Sequence, residues 1–154
     1  MRRCVVAAGV AVTCASSTLV WGSGPAVASD PEMLRADAGC VWRTPAERAQ
    51  NLQTCTFDST ALGREATVQI RAADTRERQA GRGIYFLDGL GSNPEFSTWT
   101  AEPETVAAYD SVNTLVFPAG GAGEWMTDWE KAPTGQSIPP QWSSFIGVEL
   151  PKYL

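Results

Sequence analysis

The chain has 154 residues, the length of one domain, and carries 17 acidic against 12 basic side chains. An acidic chain without a basic patch is unsuited to nucleic acid, because phosphate contacts supply most of that affinity. The chain also contains no histidine, which excludes a Ser-His-Asp or Cys-His catalytic arrangement within it and, with few cysteines, argues against zinc. We therefore expect no metal and no cofactor.

Residues 1–28 are typical of an export signal. Arg2 and Arg3 precede an almost unbroken apolar and small-residue run at 5–20, and a small-x-small cleavage site follows at 26–28. A membrane anchor is the alternative, but the run is too short to span a bilayer comfortably. We expect a secreted or cell-envelope protein without a stable membrane span. Removal of the signal leaves 10 basic and 17 acidic side chains, a net charge of −7.

Residues 29–55 form a polar N-terminal segment with two cysteines, Cys40 and Cys55. Two cysteines in an exported protein most often pair, and two free thiols are the alternative. A disulfide that closes a loop of this length stabilises a fold by about 3 kcal/mol.

Local patterns predict a short helix and three strands. The helix covers residues 45–53, with Thr44 as N-cap. Alternation of apolar and polar residues predicts a half-buried strand at 66–71, with Thr67, Gln69 and Arg71 on its polar face. Continuous apolar runs at 84–87 and 114–117 are typical of strands buried on both faces.

A helix predicted at 103–109 separates the two apolar runs, and a strand-helix-strand order favours parallel pairing in an α/β sheet. Residues 72–82 are expected to form a charged connection, and residues 119–123 a glycine-rich loop. The clearest helix is the last, which Pro151 would kink or end. Its stripe, apolar except for one member, consists of Trp142, Phe145, Ile146, Glu149 and Leu150.

Five stretches of the chain form a pattern in their order and spacing. They are Ser59-Thr60-Ala61-Leu62-Gly63-Arg64 before Val68-Gln69-Ile70, Tyr85-Phe86-Leu87-Asp88-Gly89-Leu90 before Trp99, Asn113-Thr114-Leu115-Val116-Phe117-Pro118-Ala119-Gly120-Gly121, Asp128-Trp129, and Gln141-Trp142-Ser143-Ser144-Phe145 before Glu149-Leu150-Pro151. This pattern resembles the antigen 85 complex and related mycolyltransferases of mycobacteria and corynebacteria, over about residues 56–154.

The resemblance implies an acyltransferase with an α/β-hydrolase fold of the esterase D type, which moves mycolyl groups between trehalose esters or onto arabinogalactan. The family's serine nucleophile, histidine base and carboxylate lie C-terminal to the region present here. Residues 56–154 are therefore expected to form a partial domain, the N-terminal portion of an α/β-hydrolase sheet, truncated before the nucleophile strand and elbow. The missing strand would leave an unpaired apolar sheet edge and poor solubility.

The resemblance also implies roles at the turn after the 84–87 run. The backbone amide of Leu90 matches a donor of the oxyanion hole, and Asp88 matches a position that contacts sugar. An ordinary Asp-Gly turn is the alternative for both. The family's next contact is an arginine, but this chain has Gly91, which leaves the preference for trehalose open. Trp125 and Trp129, on a loop that lines the family's site, could contact a sugar or an acyl chain, with loop packing as the alternative.

Three hypotheses follow for function. The chain is the N-terminal part of an exported acyltransferase, inactive alone, whose substrates by resemblance are trehalose mycolates or arabinogalactan. Alternatively, it is a non-catalytic secreted protein that binds cell-wall glycan or glycolipid. As a third hypothesis, it complements a separate C-terminal half.

Overall fold

The structure is a computed structural model that describes residues 34–73, 83–109 and 113–153. Five strands form one sheet in the order β1-β2-β3-β5-β4. They are Cys40–Val41 (β1), Leu52–Ser59 (β2), Arg64–Arg71 (β3), Gly83–Tyr85 (β4) and Thr114–Pro118 (β5). β4 and β5 are parallel, and the other neighbouring strands are antiparallel.

Short helical elements connect and cover the strands. They are the α-helices Pro45–Ala49 (α1), Pro103–Ala107 (α2) and Trp142–Ser144 (α3), and the 3₁₀ turns Ala36–Ala38 and Thr98–Thr100. α3 continues as a π-helical turn, Phe145–Glu149, and ends in a 3₁₀ turn, Leu150–Lys152. Pro151 lies in that last turn, so the helical segment ends where the proline was expected to end or kink it.

The predicted crossover is confirmed, since α2 connects β4 to β5 and these strands pair in parallel. The fold is accordingly an α/β fold with a mixed sheet. α1 is confirmed at its N-terminus, where Thr44 Oγ1 accepts a hydrogen bond of 3.1 Å from the amide of Glu47. It is shorter than predicted because Leu52 already belongs to β2.

The interpretation of residues 84–87 as a strand buried on both faces is wrong. β4 covers only Gly83–Tyr85 and lies at the edge of the described sheet, paired with β5 alone. Leu87 has left the strand and is 42 % exposed. The other apolar run is central, between β3 and β4, and its residues Leu115, Val116 and Phe117 are fully buried.

The sheet has a hydrophobic cluster on each face, since successive residues of β5 point to opposite sides. Leu115 and Phe117 pack with Val106 of α2, whereas Val116 packs with the last helical segment. The predicted stripe of that segment is confirmed, because Trp142, Phe145 and Leu150 are at most 1 % exposed. Its polar member, Glu149, accepts hydrogen bonds at the β2–β3 turn, from the Ser59 hydroxyl (2.6 Å) and the amides of Thr60 (2.8 Å) and Ala61 (3.2 Å).

The N-terminal segment is part of the same sheet. Cys40 of β1 lies opposite Cys55 of β2, and the two are joined by a disulfide, as expected. The boundary expected at residue 55 falls inside β2, so the structure does not separate the two segments. The expected signal at 1–28 and most of the charged connection, residues 74–82, lie outside the described residues.

Candidate functional site

The turn after β4 is fixed by the side chain of Asp88, which is only 7 % exposed. Its carboxylate accepts hydrogen bonds from the hydroxyls of Ser97 (3.1 Å) and Thr98 (2.7 Å) and from the Thr98 amide (3.0 Å to Oδ2). The carboxylate is therefore directed at the 3₁₀ turn Thr98–Thr100 and not at solvent. Asp88 positions the turn that contains Leu90.

A buried polar path connects this turn to α1. The amide of Ser97 donates to Gln69 Oε1 (2.9 Å), and Gln69 Nε2 donates to Glu47 Oε1 (3.3 Å). Thr54 also donates to Glu47 Oε1, at 3.2 Å. The four residues are between 0 and 8 % exposed, so each of these bonds satisfies groups that water does not reach.

Leu90 is exposed on the turn. Its side chain is 68 % exposed, and the turn closes behind it through a 3.2 Å bond from the Ser92 amide to the Gly89 carbonyl. The Leu90 amide donates no hydrogen bond to the described residues. A Cβ added at Gly91 would meet no atom within 4 Å, so the fold leaves room for a side chain there.

The glycine-rich loop after β5 lies beside this turn. The Gly120 amide donates to the Asn93 carbonyl at 2.7 Å, and a Cβ built on Gly123 would lie 4.0 Å from Leu90 Cδ1. Gly121 has a φ of 80°, and a Cβ there would come within 2.8 Å of the Trp142 ring. Glycine is required at 121 because the loop passes directly over the buried indole.

The two tryptophans of the loop differ in their surroundings. The Trp129 indole donates to the Glu124 carbonyl at 2.8 Å, and its amide donates to the Pro140 carbonyl at 3.1 Å. Trp129 therefore braces the loop. Trp125 is 75 % exposed and has a φ of 59°. Of the two, Trp125 is the one whose side chain is exposed.

Glu124 is a central residue of the loop that sequence patterns did not reveal. Its buried carboxylate accepts from both terminal nitrogens of Arg64 (3.1 and 2.8 Å), from Gln136 (2.7 Å) and from the Trp142 indole. Burial tends to raise the pKa of Glu124, but the hydrogen bonds from Arg64, Trp142 and Gln136 and the charge of Arg64 lower it below its ordinary value. No local pattern pairs residues 60 positions apart.

Two side chains of the candidate site, Leu90 and Trp125, lie exposed at the surface. A shallow cleft elsewhere, between α1 and the Thr98–Thr100 turn, is lined by residues such as Glu47, Gln69 and Phe96 and by none of the five predicted site residues. Across the described parts of the chain, no group of three or more Cys, Asp or Glu side chains is placed to hold a metal ion. No helix in those same parts has the length and apolarity to cross a membrane.

Comparison with known families identifies the family of this chain. A family model described as "Putative esterase" matches residues 59–154, more than half of the chain. The chain belongs to this esterase family. The match begins at Ser59, so the disulfide, α1 and almost all of β2 lie outside it. Gln69 nevertheless connects Glu47 of α1 to the Asp88 turn inside it.

Individual relatives of this chain confirm its resemblance to antigen 85. It is 30 % identical over 129 residues to the diacylglycerol acyltransferase/mycolyltransferase Ag85A of Mycobacterium leprae, covering 79 % of this chain and 38 % of the relative. It is 27 % identical over 99 residues to Ag85B of Mycolicibacterium smegmatis, covering 62 % and 29 %. It is 30 % identical over 117 residues to the MPT51/MPB51 antigen of Mycobacterium tuberculosis, covering 71 % and 33 %. The chain thus spans about a third of the length of these relatives.

Proposed function

We propose that this chain provides the oxyanion side of an acyl-transfer site of the mycolyltransferase type, acting on acyl esters of the cell envelope after export. The observation that carries the proposal is the Leu90 amide, which follows β4 on a turn fixed by Asp88 and has no partner among the described residues. A fixed amide at such a position stabilises the negative charge of a tetrahedral intermediate with little reorganisation, and is worth a few kcal/mol.

The surroundings of Leu90 favour contact with the acyl chain of a substrate. Two large exposed apolar side chains, Leu90 and Trp125, lie on adjoining loops. Groups suited to a sugar are fewer there, since Asp88 is engaged by Ser97 and Thr98 and Gly91 has no side chain. We therefore propose that the acyl donor is recognised more by its hydrocarbon chain than by trehalose.

We propose that the chain is inactive by itself, because it has no histidine to serve as the base. The companion would be a C-terminal half that supplies nucleophile, base and acid. The pure chain should not hydrolyse p-nitrophenyl butyrate or transfer from a trehalose mycolate. Co-expression with the C-terminal part of the Ag85A relative should restore hydrolysis. Turnover by the pure chain would contradict the assignment of roles.

The Leu90 amide itself can be tested in the reconstituted pair. Leu90→Pro removes the N–H donor and should lower kcat by about 100-fold or more. Leu90→Ala retains the amide and is the matched control, since loss of its side-chain contact with the acyl chain should raise KM and leave kcat close to that of the parent. Circular dichroism would check that both variants keep the fold. Equal rates for folded Leu90→Pro and Leu90→Ala would remove the oxyanion role.

A second candidate function is non-catalytic binding of wall glycan or glycolipid, and the exposed indole of Trp125 favours it. Trehalose and arabinogalactan fragments would be titrated while tryptophan fluorescence is recorded. A saturable change that Trp125→Ala abolishes would support this function. A flat response at millimolar sugar would eliminate it.

A further inference from the structure

Trp125 has an unfavourable backbone conformation. Trp125 and Met126 follow one another with φ values of 59° and 50°, in the left-handed region that bulky side chains rarely adopt. The Met126 side chain packs against the hydrophobic core, which offsets the cost of its backbone. Trp125 is 75 % exposed and has no aromatic or hydrogen-bonding partner among the described residues, so packing does not offset its strain.

Glu124, the residue before Trp125, is fixed by hydrogen bonds of both its side chain and its backbone. The Glu124 carboxylate is bound by Arg64, Gln136 and the Trp142 indole. Its amide donates to the Gly121 carbonyl at 2.9 Å, and its own carbonyl accepts from the Trp129 indole at 2.8 Å. Because both the side chain and the backbone of Glu124 are fixed, the backbone that leads into Trp125 is fixed as well.

The loop that carries Trp125 adjoins the Leu90 turn, since a Cβ built on Gly123 would lie 4.0 Å from Leu90 Cδ1. A tryptophan needed for stability would be buried, because burial of its large ring is what stabilises a fold. Strain in a residue held by its surroundings, combined with exposure of its side chain, is instead typical of a functional position.

We infer that Arg64 and Glu124 form a positioning brace that holds Trp125 in its strained conformation and presents the indole, beside Leu90, to the hydrocarbon chain of an acyl ester. The inference rests on the proposed function. Arg64 and Glu124 are positioning residues, since the Glu124 carboxylate is buried and engaged within the protein. Trp125 is the residue that touches the ligand.

The first test separates binding from stability in the full chain. The probe is decanoyl-trehalose below its critical micelle concentration, with free trehalose as the second arm. Trp125→Asn places a residue that tolerates positive φ at this position, so the melting temperature should equal or exceed that of the parent. Affinity for decanoyl-trehalose should fall about tenfold or more. Trp125→Phe keeps an apolar ring and should bind within about threefold of the parent.

Val148→Asn is the matched control, because Val148 is also exposed, at 59 %, but lies on the π-helical turn. It should leave the affinity unchanged. A marked loss of melting temperature in Trp125→Asn would show that the indole stabilises the fold, and would overturn the inference. Binding by Trp125→Asn as tight as the parent's, or absence of decanoyl-trehalose binding by the parent, would overturn it as well.

The second test addresses the brace with Trp125 intact. In protein labelled with 5-fluorotryptophan, the Trp125 resonance is assigned by its loss in Trp125→Phe. Glu124→Gln should shift or broaden that resonance and weaken binding several-fold. If Glu124→Gln does not fold, Gln136→Ala serves instead, since it removes only the 2.7 Å bond to Glu124. An unchanged resonance and unchanged affinity would refute the brace, whereas the Leu90→Pro and Leu90→Ala rates test the proposed function separately.

Discussion

Asp88 shows how a single residue can serve a site without facing the ligand. Its carboxylate is enclosed by Ser97 and Thr98, whose hydroxyls and backbone donate to it. The expected sugar contact at Asp88 therefore stays a prediction, while its structural role at the turn is visible. A charged acceptor strengthens such bonds, and their loss leaves buried donors without partners.

We predict that Asp88→Asn lowers the free energy of unfolding by about 2 kcal/mol, because the amide provides one fewer charged acceptor for the Ser97 and Thr98 donors. Urea denaturation would measure the change. Glu95→Gln makes the same change of charge on an exposed residue of this loop and should be nearly neutral. Equal effects of the two substitutions would contradict the role of Asp88 in fixing the turn.

The hydrogen bonds and the Arg64 charge around the Glu124 carboxylate lead us to predict that the stability of the fold depends on pH. Its pKa in the folded state is below the ordinary value that it has in the unfolded chain. The ionised carboxylate therefore contributes stability above that ordinary value, and the contribution is lost as pH falls through the lowered folded pKa. The melting temperature of the parent should drop on acidification more steeply than that of Glu124→Gln. Parallel curves would be inconsistent with the Arg64–Glu124 interaction. The melting temperature of Glu124→Gln should still fall on acidification, because Glu149 titrates too: burial acts to raise the pKa of Glu149, but hydrogen bonds from Ser59, Thr60 and Ala61 lower it below its ordinary value.

At the scale of the elements, β3 shows where periodicity succeeds and where it fails. Alternation located the strand, and Val68 and Ile70 are buried as expected. Gln69, assigned to the polar face, is only 2 % exposed. That face is covered by α1 and by the Thr98–Thr100 turn, which satisfy the amide of Gln69 through Glu47, Ser97 and Thr100. A polar residue can be fully buried when other elements provide its partners.

We predict that Gln69→Leu destabilises the fold by about 2–3 kcal/mol, because the Ser97 amide and the Glu47 carboxylate lose a buried partner. Thr67→Leu on the same face of β3 is the control, since Thr67 is only half-buried. Thermal and urea unfolding would measure both. A loss in Gln69→Leu no greater than in the control would argue against the buried path between α1 and the Asp88 turn.

At the scale of the whole molecule, the disulfide links β1 to β2 just N-terminal to the region that matches the esterase family. Replacing both Cys40 and Cys55 by serine should lower stability by about 3 kcal/mol, since it releases a loop with a sequence separation of 15 residues. Dithiothreitol should lower the melting temperature of the parent and leave that of the double variant unchanged. No response of the parent to reductant would show that the covalent link does not stabilise the fold.

The edge of the described sheet has consequences for association. β4 pairs only with β5 there, and exposed Leu87 lies two residues after its end. Apolar strand edges promote pairing between molecules, and lysine at an edge prevents it. Leu87→Lys should therefore reduce self-association, measured by sedimentation velocity. Val148→Lys adds the same charge to the exposed helical face and should have less effect. Equal suppression by both would point to net charge as the cause.

The sequence by itself determined the local elements and the family. Apolar runs, alternation and capping residues located β3, β5, α1, α2 and the last helix, because each signal lies within a few consecutive residues. The order of short motifs, such as Asp88-Gly89-Leu90, identified the relationship to antigen 85 type esterases. The Cys40–Cys55 pair followed from counting cysteines in a chain that was expected to be exported.

Only the tertiary structure decided which polar groups are buried and which apolar groups are offered to solvent. The Arg64–Glu124 pair and the Glu47–Gln69 path join residues that are far apart in sequence, and Asp88 is enclosed by residues nine and ten positions away. The contrast between Trp129, whose indole donates to the Glu124 carbonyl, and exposed Trp125 also depends on how the loop packs. Burial and hydrogen bonding are properties of packed elements, so a local pattern cannot determine them.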